Sequence, residues 1–134
     1  MTTFARTCNI VITVVEVVAC GALVILELLS GYKAGVMQHL YHKKVQYLST
    51  LYNQDYLLFH FLFFLLCALF LAFRLYGLQF SAIVRRLLPF TLISLFLALC
   101  YLSPFAKELN IYAHLLIYLE YCLVFETLRA YFLK

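Results

Sequence analysis

The stretch CNIVITVVEVVACGALVILELLS, residues 8–30, decides the fold class of this chain. It is a continuous apolar run, and about 20 mostly apolar residues are enough for a helix to cross a bilayer. The whole chain has the same character, because 66% of its 134 residues are hydrophobic and only 12% are charged. A soluble domain of this size still exposes much of its surface to water. The composition therefore predicts a single domain with lipid as its solvent.

Three further runs resemble the first, at residues 56–73, 87–105 and 111–133. They are continuously apolar, whereas a membrane β-barrel needs short segments of alternating hydrophobicity separated by turns. Four such runs joined by short connections predict an all-α integral membrane protein. The expected architecture is a four-helix transmembrane bundle with up-down-up-down connections, formed by residues 1–134 as one transmembrane domain.

The longest connection follows the first span. Within it, Met37, Leu40, Leu48 and other apolar residues recur near helical spacing. This pattern predicts an amphipathic helix over about residues 35–54. The helix either lies on lipid or on the bundle, or it extends the second span at its N-terminal end.

The other two connections are expected to be short. Residues 74–86 form a basic linker, and residues 106–110 (AKELN) form a tight turn. Pro89 is expected near the start of the third span, where its missing N–H does no harm. Pro104 is expected to stop that span.

The basic residues near the ends of the spans predict the orientation in the membrane. More of these basic residues lie on the side that holds both termini. Since basic residues are enriched on the cytoplasmic side, both termini are expected in the cytoplasm. On that side the sequence places Arg6, Arg74, Arg85, Arg86, Arg129 and Lys134, and on the other side Lys33, Lys43, Lys44 and Lys107.

The polar residues of the first span share one helical face. On a helical wheel Asn9, Thr13, Glu16, Cys20 and Glu27 fall within about 60° of one another at 100° per residue. Glu16 and Glu27 are about 16 Å apart along this face. A charged group at the bilayer centre costs about 2.5–3.5 kcal/mol even on insertion scales, so such groups face protein or a watery cavity. The face is therefore expected to point into the protein.

The second and fourth spans offer partners for this polar face. His114, Tyr118 and Tyr121 share one side of the fourth span, and Glu120 points elsewhere. His60 lies in the second span, where it is expected to approach a Glu or Tyr across the bundle. These residues are candidates for an interaction surface or an ion path.

The remaining acid of the fourth span has a structural explanation, because Glu126 and Arg129 are three residues apart and can pair on one helix face. The deep acids Glu16 and Glu120 are expected to have no basic partner inside the chain except histidine. Three interpretations stay open for them: neutral acids hydrogen-bonded between helices, contacts with a base of a partner chain, or a proton or cation route.

Covalent and metal chemistry has little support in the sequence. No CxxC pair, nucleotide-binding glycine loop or hydrolase motif occurs, and the pair His39 and His42 is a weak metal pattern. Cys8 lies at a span edge, where a thiol is a candidate for lipidation. The sequence predicts no catalytic residues, no metal and no cofactor.

These features predict a small non-enzymatic multi-pass protein that acts as an accessory, scaffold or assembly subunit of a larger membrane complex. Its expected partners are the lipid bilayer and other membrane subunits, in a hetero- or homo-oligomer. Nucleic acid is not expected, since the basic residues form no block. The alternative function is a small proton- or cation-coupled transporter or channel that uses Glu16 and Glu120.

Overall fold

The computed structural model describes residues 3–132, and all of their regular structure is helical. Residues 133 and 134 lie outside the described part. Residue 133 is the predicted end of the fourth span, and Lys134 is one of the basic residues used to predict the orientation. The helices are α1 (Thr3–Tyr32), α2 (Ala34–Thr50), α3 (Gln54–Leu75), α4 (Phe80–Leu102), α5 (Pro104–Glu108) and α6 (Tyr112–Phe132).

Three of these helices, α1, α3 and α4, are long and apolar enough to cross a membrane. They have 30, 22 and 23 residues. Helix α6 has 21 residues but carries Glu120, Glu126 and Arg129, so it is the most polar of the four long helices. Length and composition thus support insertion directly for three helices.

The core of the protein lies along α6, which packs against each of the other five helices. Ala113, Leu116 and Leu123 of α6 are at most 1% exposed. Leu71 of α3 and Leu97 of α4 belong to one buried cluster with Leu116 and Leu123. The chain therefore places its most polar long helix at the centre and its more apolar helices around it.

The outward faces of the surrounding helices are apolar and open. Val17 of α1 and Phe61 of α3 are each 66% exposed, and Leu95 of α4 is 59% exposed. Large contiguous apolar surfaces are rare on proteins that face only water. This surface is the one expected of a protein surrounded by lipid.

The predicted loop helix over residues 35–54 corresponds to α2, which ends at Thr50. It does not continue into α3, because a turn follows and Asn53 then caps α3 by accepting a hydrogen bond from the Gln54 N–H at 2.7 Å. Leu40 of α2 is buried, whereas Met37, another residue of the predicted apolar face, is exposed. Helix α2 is therefore a separate helix between α1 and α3.

The prediction for the start of the third span was wrong. Helix α4 begins at Phe80, so most of the expected linker 74–86 is helical and the connection is the turn at residues 76–79. Gly77 has φ +86°, a left-handed conformation that glycine adopts without strain. Pro89 lies inside the helix rather than near its start, where it removes one backbone hydrogen bond.

The expected tight turn at residues 106–110 is also partly helical. Pro104 opens the short helix α5, and the Ser103 side chain accepts a hydrogen bond from the Ala106 N–H at 3.4 Å. Proline at the first helical position loses no hydrogen bond, which explains why it starts a helix here as well as ending α4.

Lys44 of α2 ties α2 to the end of α5. Its ammonium group donates hydrogen bonds to the carbonyl oxygens of Lys107 and Leu109, the latter at 2.9 Å. A cation at a helix C-terminus satisfies unpaired carbonyls and complements the helix dipole. Burial lowers the pKa of Lys44, while the nearby carboxylates of Glu27 and Glu108 oppose this shift.

Candidate functional site

Three groups of polar side chains surround α6, and each takes members from a neighbouring helix. We call them the Glu27 cluster, the Arg129 cluster and the His60 cluster after the residue at the centre of each. The first two lie between α1 and α6, and the third lies between α3 and α6. Together they hold all four acidic residues of α1 and α6.

The Glu27 cluster joins the end of α1 to the start of α6. The Glu27 carboxylate accepts hydrogen bonds from the backbone N–H groups of Ile111 at 3.1 Å and Asn110 at 3.4 Å. Ser30 accepts a hydrogen bond from the Asn110 amide at 3.1 Å and donates one to the Glu27 carbonyl at 2.7 Å. Because the first N–H groups of a helix lack partners, Glu27 acts as a cap for α6 supplied by another helix.

The Arg129 cluster lies further along the same interface. The Arg129 guanidinium binds Glu126 through Nη1 at 2.5 Å and Glu16 through Nη2 at 3.2 Å. The same Nη2 donates a hydrogen bond to the Thr13 hydroxyl at 3.0 Å. The Glu126–Arg129 pair expected from the sequence is present, and Glu126 is only 6% exposed.

The expectation that no basic residue of the chain reaches the deep acids was wrong, since Arg129 reaches Glu16. Helices α1 and α6 run antiparallel from the contact of Glu27 with Ile111, which brings the last turns of α6 beside the first half of α1. The long arginine stem then carries its charged end away from its own backbone. A prediction that places each charge at the depth of its own backbone position does not account for the length of the arginine side chain.

The charges of the Arg129 cluster do not balance. One guanidinium serves two carboxylates, those of Glu16 and Glu126. Among the described residues, Oε1 of Glu16 is buried without a hydrogen-bond partner, as is Oδ1 of Asn9 on the same face of α1. With both acids ionised the cluster carries one excess negative charge, and that excess is greatest at Glu16.

The His60 cluster lies on another side of α6. Nδ1 of His60 is 3.0 Å from Oε1 of Glu120, and Nε2 is 2.8 Å from the Leu51 carbonyl oxygen. A carbonyl only accepts a hydrogen bond, so Nε2 of His60 carries a hydrogen, and Nδ1 is the nitrogen that faces the carboxylate. The Tyr52 ring stacks on His60 at 4.8 Å, and the Tyr101 ring lies 6.1 Å from that of Tyr52.

The predicted face of the fourth span borders an open groove between α1 and α6, which we call the α1–α6 groove. His114, Tyr118 and Tyr121 line it together with Glu16, and its volume is about 550 Å³. The Tyr118 hydroxyl donates a hydrogen bond to the Glu16 carbonyl at 3.0 Å. His114 packs edge-on against Tyr47 of α2 at 5.5 Å.

The structure thus places the predicted residues on two sides of α6. Glu120 and Tyr118 are two positions apart on α6, which places them about 160° apart around the helix. Glu16 with His114 therefore lies on one side, and His60 with Glu120 on the other. Cys8 is half-buried in α1. His39 and His42 are exposed, and no group of His, Cys, Asp or Glu within residues 3–132 is arranged to hold a metal.

Several of the contacting residues were not predicted, among them Lys44, Ser30 and Asn110. For Asn110 the sequence did hold a signal, because it directly precedes the apolar run of the fourth span and asparagine is favoured just before a helix. Ser30 and Lys44 act through tertiary contacts that no local pattern reveals.

No protein-family model, no curated protein and no solved structure matches this chain. Its function is therefore argued from the fold and from the geometry of these clusters.

Proposed function

We propose that α1, α3, α4 and α6 all cross the membrane, in an up-down-up-down bundle with both termini in the cytoplasm. Helix α6 is 21 residues long, which corresponds to about 31 Å at 1.5 Å per residue and is enough to span the hydrocarbon core. The α3–α4 turn then lies on the cytoplasmic side with Arg74, Arg85 and Arg86 near it. The connection that contains Lys43 and Lys44 lies on the opposite side.

The charges of α6 are compatible with this placement because they face neighbouring helices. Glu120 contacts His60 of α3, and Arg129, which pairs with Glu126 on α6 itself, also contacts Glu16 of α1. Ionisable side chains within membranes normally point into a bundle and pair there. In this arrangement the charged groups of α6 are paired against α1 and α3 rather than exposed to lipid.

We propose that the protein is a non-enzymatic accessory, scaffold or assembly subunit of a larger membrane complex. The observation that most supports this proposal is that the four acidic residues of α1 and α6 are all engaged within the chain. Glu16, Glu27, Glu120 and Glu126 each contact a group of this chain. The polar groups thus serve to join helices, and a wide apolar surface on α1, α3 and α4 is left for contact with lipid and with other transmembrane helices.

A second candidate function, proton-coupled transport, is favoured by the His60 cluster. The pair of His60 and Glu120, which can share a proton, lies next to Tyr52 and Tyr101, whose hydroxyl groups are buried. Glu16 lies on the far side of α6, so the two deep acids form separate sites rather than one row. A transport route would then use the His60 cluster alone.

Purification of the tagged chain from its native membrane in a mild detergent tests the subunit proposal. We expect another membrane protein to co-purify in a fixed ratio. A photoreactive residue at Phe61 or Leu95, on the exposed faces of α3 and α4, should form crosslinks to that same chain. The same residue at Leu116, which is fully buried, is the control that should form none.

The transport candidate is tested with the purified chain in liposomes that carry a pH gradient. The subunit proposal predicts that the chain alone leaves the gradient intact. Recovery of the chain without a partner, together with a proton flux that Glu120→Gln abolishes, would overturn the subunit proposal and establish the second candidate.

A further inference from the structure

The α1–α6 groove has a lining suited to a ligand of particular chemistry. Its walls are largely apolar, and Glu16 is the acidic residue among them. On the α1 side, the small side chains of Ala19 and Ala22 leave room for a ligand. Five aromatic side chains from α2 and α6 complete the lining: Tyr47, His114, Tyr118, Tyr121 and Phe125.

With Glu16 and Glu126 both ionised, the Arg129 cluster carries one excess negative charge, which favours a cation as the ligand. Arg129 is divided between Glu126 and Glu16, and the Glu126 contact is the shorter of the two. Oε1 of Glu16 therefore remains without a partner among the described residues. In an apolar environment an uncompensated carboxylate is costly unless a cation or a hydrogen-bond donor approaches it.

The aromatic walls favour the same kind of ligand. Cations are attracted to the faces of aromatic rings, by about 0.5–2 kcal/mol depending on how dry the site is. The Tyr47 ring already has such a neighbour, since Nζ of Lys43 lies 5.8 Å from its centre. This positive charge at the α2 end places the charged centre of a ligand at the other end, next to Glu16.

We propose that the α1–α6 groove binds a lipophilic organic cation. Its charged centre would lie beside Glu16 and the rings of Tyr118 and Tyr121, and its apolar body would lie along Ala19 and Ala22. A volume of about 550 Å³ is within the roughly 300–1,000 Å³ typical of small-molecule sites. The groove is open along one side, so a ligand dissolved in the bilayer can enter it laterally. This inference goes beyond the subunit role and does not depend on it.

Two probes of nearly equal size and shape but opposite charge test the proposal: tetraphenylphosphonium and tetraphenylborate. Equilibrium dialysis of each against the purified full chain in mild detergent should show saturable binding of the phosphonium cation and none of the borate anion. Equal binding of the two ions, or no saturable binding of the cation, would overturn the proposal.

Two variants separate the groove from the rest of the protein. Glu16→Gln should weaken phosphonium binding at least about tenfold, because it removes the excess charge. Tyr121→Ala should weaken it about two- to fivefold through loss of one cation–π contact. Tyr121 is 62% exposed, so this variant is expected to fold even if Glu16→Gln does not.

The matched control is Glu108→Gln, which removes an exposed acid of α5 that does not line the groove. It should leave phosphonium binding unchanged. If Glu108→Gln weakens binding as much as Glu16→Gln, or if Tyr121→Ala binds as tightly as the unaltered chain, the cation does not bind in this groove. A basic residue of a partner helix would then be the better account of the unpaired Glu16 oxygen.

Discussion

Replacement of Arg129 by leucine should destabilise the protein far more than loss of an ordinary surface charge. The guanidinium contacts Glu126 at 2.5 Å, Glu16 at 3.2 Å and the Thr13 hydroxyl at 3.0 Å. Removing one member of a buried ion pair typically costs about 3–5 kcal/mol, because an uncompensated charge stays behind. Here two carboxylates lose their base, so we expect at least about 3 kcal/mol.

The assay is unfolding of the purified chain by a titration from mild detergent into SDS. The chain has no tryptophan, so the reaction of buried thiols serves as the probe. Cys122 of α6 is 5% exposed and lines the α1–α6 interface, so its labelling reports the separation of these helices. Arg85→Leu is the control, since Arg85 is exposed and such changes usually alter stability by less than about 0.5 kcal/mol.

A triple variant makes this prediction refutable in detail. When Glu16→Gln and Glu126→Gln accompany Arg129→Leu, no uncompensated charge remains, and most of the lost stability should return. The reasoning fails if Arg129→Leu costs less than about 1 kcal/mol. It also fails if the triple variant is no more stable than Arg129→Leu alone.

Three further outcomes are expected from the other contacts. Glu27→Ala should destabilise α6 at its start by about 1 kcal/mol and speed the hydrogen exchange of its first amides. Glu108→Ala, which removes an exposed acid of α5, should do neither. Equal exchange in the two variants would contradict the capping role of Glu27. In a double-mutant cycle, His60→Ala and Glu120→Ala should be coupled by about 0.5–3 kcal/mol, and additive effects would show that the 3.0 Å contact contributes nothing. Lys44→Met should cost about 1 kcal/mol in the same unfolding assay through loss of the cap on α5, and an unchanged stability would remove Lys44 from the account.

Apolar patterning was enough to predict the all-helical fold and three apolar helices suited to a membrane, since each has the length and composition of a span. The boundaries were less predictable. Pro89 suggested a helix start because proline is tolerated there, but α4 begins at Phe80 and accommodates it inside. Surrounding helices decide whether a proline is tolerated, and that information is not local.

The polar face of α1 was readable from the spacing of Glu16 and Glu27, and both do point towards α6. The groups that these two acids contact could not be predicted from the sequence. Arg129 reaches Glu16 only because α1 and α6 run antiparallel and the arginine side chain is long. The contact of His60 with Glu120 was within reach of the sequence, because histidine was the one deep basic group available.

The central claim is that α6 crosses the membrane in spite of its three charged residues. The most direct test is the labelling of single cysteines, introduced into a cysteine-free chain at Lys107 and at Lys134, with a charged thiol reagent added to one side of intact membranes. The account predicts that the two positions react from opposite sides, with Lys134 on the cytoplasmic side. If both positions react from the same side, α6 does not span the bilayer and the four-helix account is wrong.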